Sequence, residues 1–462
     1  MLFQRIFAVA ATLLAPASCA PKQQLAEGLL QPSLAAVPSD SAQARRVRAA
    51  FLHAWYGYRR YAWGHDDLNP ISRTPHDWYG EPLLMTPVDA YDTMLLMGLR
   101  AEAGEAKRLI LERLSFDRDL SVQVFEVTIR LLGGLLSGYQ MGGDPAFLRL
   151  ATELADRLLP AFDSPTGMPF RYVNLHTGAT RDSASNPAEI GTLMLEFGAL
   201  SKITGNPVYY DRAKRAVEEL FRRQSRLGLV GSTIDVRTGT WLDTRSHVGG
   251  GIDSYYEYLL KAWLLFNDLD FRRMWKASVA SINRSIADDR FGGLWYGQVD
   301  MATGRRVATH FGALEAFLPA VLILAGERSR AERLMSSVQR MWTTFSVEPE
   351  TLDYSRMTIV SPEYHLRPES LESAYYLFTF TGDGRYREMG RMMFQALERW
   401  TRTEAGFAAL ADVRTREKRD RMPSFLFAET LKYAYLLFAP SETLSLREVV
   451  FTTEAHPLRR SW

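Results

Sequence analysis

Carboxylic acids recur along this sequence at nearly regular intervals, and their spacing suggests chemistry. Seven of them lie in or beside apolar stretches: Asp92, Glu126, Glu189, Asp253, Glu315, Glu369 and Glu429. From Glu126 onward, successive intervals are 63, 64, 62, 54 and 60 residues. One acid beside a helix start is ordinarily a solvated group that favours the helix dipole. Seven in register instead predict a structural repeat whose acids converge on one pocket.

Sugar hydrolysis is the chemistry that best fits many carboxylates with aromatic neighbours. It requires a protonated acid, an ionised base and acceptors for sugar hydroxyls. The 10 Trp and 20 Tyr residues include candidates for stacking on a sugar ring, although most are expected in the core.

The sequence gives little support to other kinds of catalytic site. Cys19 is the single cysteine, which excludes a disulfide framework and a cysteine-based zinc site. The sequence contains no HExxH zinc helix and no P-loop, and the glycine run 249–251 follows no strand pattern. Four histidines are expected near the rim of the pocket, where they could either bind substrate or have a structural role: His65, His247, His365 and His456.

Helical periodicity extends over most of the chain and predicts the elements that position the acids. Apolar residues recur every three to four positions in fourteen segments: 42–63, 86–99, 102–113, 121–140, 145–161, 187–204, 207–223, 250–267, 269–286, 310–325, 327–346, 367–381, 385–402 and 424–438. Short polar or glycine-containing turns join them into hairpins. Seven hairpins predict a closed α/α barrel or an open helical solenoid, and converging acids favour the closed (α/α)7 barrel.

Length and charge narrow the class of protein further. The 462 residues would suggest about three domains, unless one repetitive architecture uses the whole length. With 55 basic and 53 acidic side chains the net charge is +2, which gives no electrostatic case for nucleic acid as a partner. We expect a single catalytic domain over residues 41–462, acting as a monomer.

Residues 1–20 have the pattern of an export signal. Arg5 precedes a short apolar run, and small residues up to Ala20 form a cleavage region. The run is too short to span a bilayer. Residues 21–40 are rich in Ala, Pro, Gln and Ser and predict a flexible tether. We therefore expect an exported bacterial protein, either soluble in the periplasm or an outer-membrane lipoprotein with a lipid anchor at Cys19.

Several segments together resemble the class I alpha-mannosidases, glycoside hydrolase family 47. They are YAWG (61–64), VDAYDT (88–93), SVQVFEVTIRLLGGL (121–135), GIDSYYEYLLK (251–261), LRPESLES (366–373), FAETLKY (427–433) and FTTEAHP (451–457). They occur in the family's order and cover residues from about 45 to 458. The resemblance implies a barrel of seven helical hairpins, in agreement with the fourteen helical segments.

The resemblance also implies an activity and its residues. It indicates a calcium-dependent, inverting exo-mannosidase acting on alpha-1,2-linked mannose in oligosaccharides or glycans. By motif, Glu126 is the general acid, Glu369 the general base and Asp253 a third catalytic acid. Calcium is implied to bind the side-chain and main-chain oxygens of Thr453, with waters and two sugar hydroxyls completing its shell. The implied substrate-binding residues are Asp92, Arg130, Glu189, Arg367, Glu372, Phe425, Glu429 and Glu454.

Two features keep alternatives open. Gly251 stands where some relatives have an arginine that helps to select glycan branches, so the branch preference is undetermined. The GIDSY segment at 251–255 also resembles the degradation-enhancing branch of the family, whose members have been treated both as enzymes and as lectins. A calcium-dependent mannose-binding protein with little turnover is therefore the alternative. A six-hairpin sugar epimerase is a weaker one, because its usual paired histidines cannot be placed.

Overall fold

The computed structural model describes residues 39–462, and fourteen helices dominate this part of the chain. They are α1 (Ser41–Tyr61), α2 (Met85–Leu96), α3 (Arg100–Arg113), α4 (124–142), α5 (Pro145–Leu158), α6 (187–204), α7 (Pro207–Arg222), α8 (Asp253–Phe266), α9 (Leu269–Ser285), α10 (314–324), α11 (Arg328–Phe345), α12 (Glu369–Thr381), α13 (Gly384–Thr401) and α14 (426–438). The predicted signal, most of the tether and Cys19 lie outside the described residues. No described helix is both long and apolar enough to cross a bilayer.

Four of these helices are composite. In α4, a π-helical turn, Thr128–Leu132, separates Val124–Val127 from Gly133–Gly142. The two parts of α6 are Pro187–Gly191 and Met194–Thr204. A 3₁₀ turn, Leu314–Phe317, opens α10 before Leu318–Leu324, and a π turn, Leu426–Thr430, opens α14 before Leu431–Phe438. Separate 3₁₀ turns occur at Leu159–Phe162 and Ser441–Thr443.

The even-numbered helices form an inner ring and the odd-numbered helices an outer ring. Inner helices are buried on all sides; in α8 every residue from Ser254 to Leu265 is buried. Outer helices bury one face, as α9 does with Phe271, Met274 and Trp275. This difference follows from the sequence, since inner segments are apolar all round and outer segments are amphipathic.

Tight turns join each of the first six inner helices to the outer helix that follows it. In four of these turns the inner helix ends on a residue with left-handed backbone conformation. The side chain of the next residue then caps the outer helix by accepting a hydrogen bond from a backbone N–H. The pairs are Gly143-Asp144, Gly205-Asn206, Asn267-Asp268 and Gly382-Asp383. Local sequence therefore specifies the turns of these four hairpins.

The ring closes between the two ends of the helical sequence. Helix α1 packs against α14, where the rings of Phe51 and Phe427 lie 5.1 Å apart. Helix α2 also packs against α14, and the Thr93 hydroxyl donates to the Phe427 carbonyl at 2.9 Å. Every inner helix thus has two inner neighbours, and the predicted (α/α)7 barrel is confirmed.

Short strands occupy the long connections that lead into the inner helices. They are β1 (Asp67–Asn69), β2 (Thr74–His76), β3 (Ser121–Gln123), β4 (Tyr172–Asn174), β5 (Thr180–Arg181), β6 (Ala184–Ser185), β7 (Thr233–Asp235), β8 (Trp241–Asp243), β9 (Arg245–Ser246), β10 (Ala287–Asp288), β11 (Trp295–Tyr296), β12 (Gln298–Asp300), β13 (Arg306–Ala308), β14 (His310–Gly312), β15 (Thr351–Asp353), β16 (Thr358–Ser361), β17 (Ala409–Asp412) and β18 (Glu417–Arg419). They pair antiparallel in small sheets of two or three strands. The inner helices therefore begin at one end of the barrel, beneath these sheets.

The last two strands, β19 (Val449–Phe451) and β20 (Pro457–Arg459), form a hairpin after α14. Its tip, residues 452–456, lies inside the inner ring and is almost entirely buried. Lys432 of α14 donates to the Ala455 carbonyl at 2.6 Å, and Tyr258 of α8 accepts the Thr453 amide at 3.1 Å. The hairpin tip therefore forms the floor of the space that the inner helices enclose.

Candidate active site

A cavity of about 370 Å³ lies between the starts of the inner helices and the hairpin tip. Eleven of the twelve predicted site residues line it: Glu126, Arg130, Glu189, Asp253, Arg367, Glu369, Glu372, Phe425, Glu429, Thr453 and Glu454. The spacing of the acids and the resemblance together therefore located one pocket. Asp92 does not line it, and neither does Glu315, the other recurring acid that was expected there.

Asp92 lies in α2, fully buried. Its carboxylate binds the Lys432 ammonium at 2.8 Å and His456 Nδ1 at 2.7 Å, and accepts from the Ser137 hydroxyl at 2.9 Å. Burial opposes its ionisation, but Lys432 and His456 outweigh burial and lower the pKa of Asp92 to about 2. The carboxylate thus anchors the hairpin tip through His456, in a position without access to the cavity.

Glu126 is held by Arg130, one turn later in α4. Arg130 Nε donates to the Glu126 carboxylate at 3.0 Å, and the same guanidinium contacts Glu454 of the hairpin tip. The π turn begins two residues after Glu126 and includes Arg130; such turns often occur at functional sites. The Arg130 guanidinium also lies over the rings of Trp78 and Phe425, at 5.0 and 5.8 Å from their centroids. These contacts fix the orientation of Glu126 while its side chain stays 23% exposed.

Glu369 begins α12, two residues after Arg367. Glu350 holds Arg367 through two hydrogen bonds, of 2.6 and 3.2 Å. One Glu369 oxygen, Oε2, is buried and has no hydrogen-bond partner among the described residues. Burial raises the pKa of Glu369, and the nearby Arg367 charge partly opposes that rise. An unpartnered carboxylate oxygen beside a cavity is suited to accept a proton from water.

Asp253 begins α8 after a tight glycine turn. A Cβ at Gly249 would lie 2.2 Å from a Glu315 carboxylate oxygen, so a side chain there would displace the Glu315 carboxylate. Burial raises the pKa of Asp253 to about 6, and the Ser254 amide, which donates to it at 2.8 Å, limits the rise. Asp253 is therefore a carboxyl that can change protonation near neutral pH.

The floor of the cavity concentrates negative charge. Burial is the main cause that raises the pKa values of Glu372 and Glu454, each to about 8, and it also raises that of Glu429. Repulsion among these carboxyls adds to the effect, most clearly between Glu429 and Glu454. The floor therefore favours uptake of protons or of a cation.

Thr453 supplies the oxygens most suited to a cation. No hydrogen bond among the described residues uses its hydroxyl or its carbonyl; its amide alone is engaged, with Tyr258. Three or more His, Cys, Asp or Glu side chains do not cluster at metal-binding distance anywhere in residues 39–462. A hard cation such as Ca²⁺ prefers oxygen and accepts water in its shell. The two Thr453 oxygens among acidic neighbours fit such an ion if water completes its coordination.

Glu189 is already well satisfied by its neighbours. Its carboxylate accepts from Gln123 at 2.8 Å and Ser185 at 3.0 Å, and it pairs with Arg171 at 2.9 Å. Burial raises its pKa nonetheless. Gln123 of β3 and Arg171, which precedes β4, also line the cavity. Sequence reasoning did not identify them because only tertiary folding brings them to Glu189.

Glu257 is a further residue that sequence reasoning missed. It lines the cavity one helical turn after Asp253 and contacts Lys261, a further turn along α8. Both Glu257 and Lys261 are buried. The four-residue spacing from Asp253, within the same family-like segment, was the signal that could have found Glu257.

None of the four rim histidines lines this cavity. His65 bonds Asp77 at 2.8 Å, and His247 bonds Ser232 at 3.1 Å. His456 is buried against Asp92. His365 lines a neighbouring cavity.

The family model for glycosyl hydrolase family 47 matches residues 50–460. This chain belongs to glycosyl hydrolase family 47. The prediction of a glycoside hydrolase is therefore confirmed, and the epimerase alternative is set aside.

Relatives within the family are similar over nearly the whole chain. The mannosyl-oligosaccharide 1,2-alpha-mannosidase MNS1 of Arabidopsis thaliana is 36% identical over 451 residues, 91% of this chain and 79% of its own length. The mouse (Mus musculus) ER degradation-enhancing alpha-mannosidase-like protein 2 is 36% identical over 457 residues, 91% of this chain and 78% of its own. The structure of an alpha-1,2-mannosidase from Trichoderma reesei superposes with a TM-score of 0.85 at 29% identity, covering 92% of this chain and all of that one.

The pair formed by His456 and Asp92 makes the stability of the protein depend on pH. Burial opposes protonation of His456, but Asp92 raises the pKa of His456 from 6.5 to about 9. The resulting stabilisation is complete below pH 6.5 and is lost as pH rises through about 9. We expect His456→Gln to reduce the loss of unfolding free energy between these pH values, as measured by denaturant titration in the presence of a chelator.

The exposed His176 provides a matched control for this experiment. His176→Gln should leave the pH dependence as it is in the unmodified protein. Identical slopes for His456→Gln and the unmodified protein would contradict the role given to the buried pair.

Proposed function

We propose that this protein is a calcium-dependent exo-alpha-mannosidase that removes terminal alpha-1,2-linked mannose from oligosaccharides with inversion at the anomeric carbon. The observation that carries the proposal is the meeting of Glu126, Glu369 and Thr453 in one acidic cavity of a family 47 chain. The names of the relatives support mannose as the sugar. The presence of both an acid and a base candidate favours turnover over a lectin-like role.

Glu126 is proposed to donate its proton to the glycosidic oxygen. The carboxyl is partly exposed, so it can reach a bound substrate, and its Arg130 contact fixes its direction. As the bond from the anomeric carbon to that oxygen breaks, the proton neutralises the departing alkoxide, and Arg130 stabilises the carboxylate that remains.

Glu369 is proposed to take the proton from the attacking water. Its unpartnered Oε2 can accept that hydrogen bond, and the water oxygen then forms the new bond to the anomeric carbon. A base must be ionised, whereas burial raises the pKa of Glu369, so nearby positive charge is required. Arg367 supplies part of it.

Calcium at Thr453 would add positive charge that lowers the pKa values of nearby carboxyls and would orient sugar hydroxyls and water. Asp253, Glu372 and Glu429 would accept sugar hydroxyls or calcium-bound waters around it. The sugar ring itself would pack against Phe425, which is partly exposed on the cavity wall.

Loss of either proposed proton-transfer group should abolish most turnover. We expect Glu126→Gln and Glu369→Gln to lower kcat on alpha-1,2-mannobiose by about 10²- to 10⁴-fold, the usual contribution of general acid or base catalysis. Mannose binding, measured by calorimetry, should persist. Glu81→Gln, which alters an exposed carboxylate outside the cavity, is the control and should keep full activity. Near-normal hydrolysis by either folded active-site variant would refute the assignment.

Calcium should support both activity and stability. Chelation should lower the melting temperature and stop hydrolysis, and added calcium should restore both. Thr453→Ala should weaken calcium binding by about tenfold or more, because even loss of an outer-shell partner of a metal costs about 10- to 100-fold. Thr452→Ser, which keeps a hydroxyl at the adjacent position, is the matched control. Unchanged calcium affinity of Thr453→Ala in calorimetry would count against the site.

The stereochemistry of the product tests the single-displacement mechanism. If Glu369 activates water and no covalent sugar intermediate forms, the alpha-linked substrate must release beta-mannose first. Proton NMR of the earliest product, recorded before mutarotation, distinguishes the two anomers. Initial release of alpha-mannose would be incompatible with the roles given to Glu126 and Glu369, even if hydrolysis itself were observed.

A further inference from the structure

A second cavity, of about 250 Å³, lies beside the first and shares one wall with it. Four residues line both cavities: Glu126, Arg130, Arg367 and Phe425. Within this wall the guanidinium groups of Arg130 and Arg367 lie over the Phe425 ring, at 5.8 and 5.6 Å from its centroid. The two cavities therefore meet at the partly exposed Glu126, which borders both.

Positive charge distinguishes the second cavity from the first. Three arginines line it against a single carboxylate, that of Glu126. Ion pairs with Glu454 and Glu350 compensate the positive charges of Arg130 and Arg367, respectively. Arg421 differs, because its exposed side chain forms neither a hydrogen bond nor an ion pair with any residue in 39–462. One guanidinium in this cavity is thus left available to a ligand.

His365 is the second group in this cavity whose side chain has no hydrogen-bond partner in residues 39–462. No hydrogen bond to a described residue engages its imidazole, although the side chain is half-buried. Burial lowers its pKa, so at pH 7 the ring is neutral and carries one N–H donor. His365 and Arg421 lie on different connections, before α12 and before α14, yet both line this recess.

The position of Glu126 indicates which part of a substrate would enter the second cavity. A general acid lies beside the oxygen it protonates, and the leaving portion of the substrate is attached to that oxygen. Glu369 lines the main cavity but not the second, so attack and departure occupy different spaces. The leaving portion would extend from Glu126 towards Arg421 and His365.

We propose that the second cavity is a subsite for the leaving portion of the substrate and that it selects leaving groups bearing an anionic substituent, a carboxylate or a phosphate ester. This inference rests on the acid role proposed for Glu126. The Arg421 guanidinium binds the anion by charge-assisted hydrogen bonds, and the His365 N–H supplies one more. The carboxylate-rich floor of the main cavity repels such a group. The main cavity therefore binds the sugar that is cleaved off, and the second cavity binds the anionic leaving portion.

Three disaccharides test the proposal: alpha-1,2-mannobiose, the same disaccharide phosphorylated at O6 of the reducing mannose, and alpha-mannosyl-(1,2)-glucuronic acid. We expect kcat/KM at low ionic strength to be about tenfold higher for at least one acidic disaccharide than for mannobiose, roughly the effect of one charge-assisted hydrogen bond. This preference should shrink as salt is added. A gain with only the phosphate or only the carboxylate identifies the anion.

Arg421→Gln should bring the ratio of acidic to neutral kcat/KM close to one. Arg356→Gln replaces an exposed arginine that lines neither cavity and should preserve the ratio of the unmodified protein. Equal or lower kcat/KM for both acidic disaccharides, with mannobiose readily hydrolysed, overturns the subsite and leaves the proposed function standing.

Equilibrium binding separates the two proposals if no disaccharide is hydrolysed. Calorimetry with Glu369→Gln, whose substitution lies outside the second cavity, then compares the three ligands without turnover. Tighter binding of an acidic disaccharide, lost in the Glu369→Gln/Arg421→Gln double variant, supports the subsite even where the hydrolytic role fails. Equal binding of all three overturns it.

Discussion

The removal of like charges from water is the constraint on which this structure depends. Five of the seven inner helices, α4, α6, α8, α12 and α14, bring acidic side chains to one enclosed space, where carboxylates repel each other and lose solvation. Three cations compensate these carboxylates: the buried Arg130 and Lys261, and the half-buried Arg367. Their compensation is incomplete, since burial still raises the pKa values of Glu429 and Glu454. The cavity therefore favours the binding of additional positive charge.

The architecture was predictable because local and global signals agree. Apolar periodicity located the fourteen helices, and capping pairs such as Gly205-Asn206 mark where a hairpin must turn. Other features have no local signature. The π turns that contain Arg130 and Glu429 occur in ordinary helical sequence, so periodicity predicted uninterrupted helices there. The pairing of α1 with α14 likewise depends on closure of the whole ring.

The recurrence of one residue type indicated which acids share a cavity, whereas the sequence did not indicate their distant partners. The regular acids indicated one pocket, but the same regularity placed Asp92 and Glu315 in it, and neither lines the cavity. Lys432 and His456 bind Asp92 instead. Glu350, which holds Arg367 from seventeen residues away, lies outside the repeat. Thr453 has no spacing that identifies it as a ligand, so its assignment came only from resemblance to a family.

Closure of α1 against α14 has a consequence for how the chain must fold. Residues near position 51 meet residues near 427, and the floor is completed by a hairpin later still, so the decisive contacts join the extremes of the helical sequence. Such long-range contacts make loop closure slow. During synthesis the inner helices, which are apolar on all sides, cannot be buried completely until the segments that close the ring have been made. An incomplete barrel therefore exposes apolar surface that is prone to aggregation. The pocket and the fold therefore come into existence in the same late step.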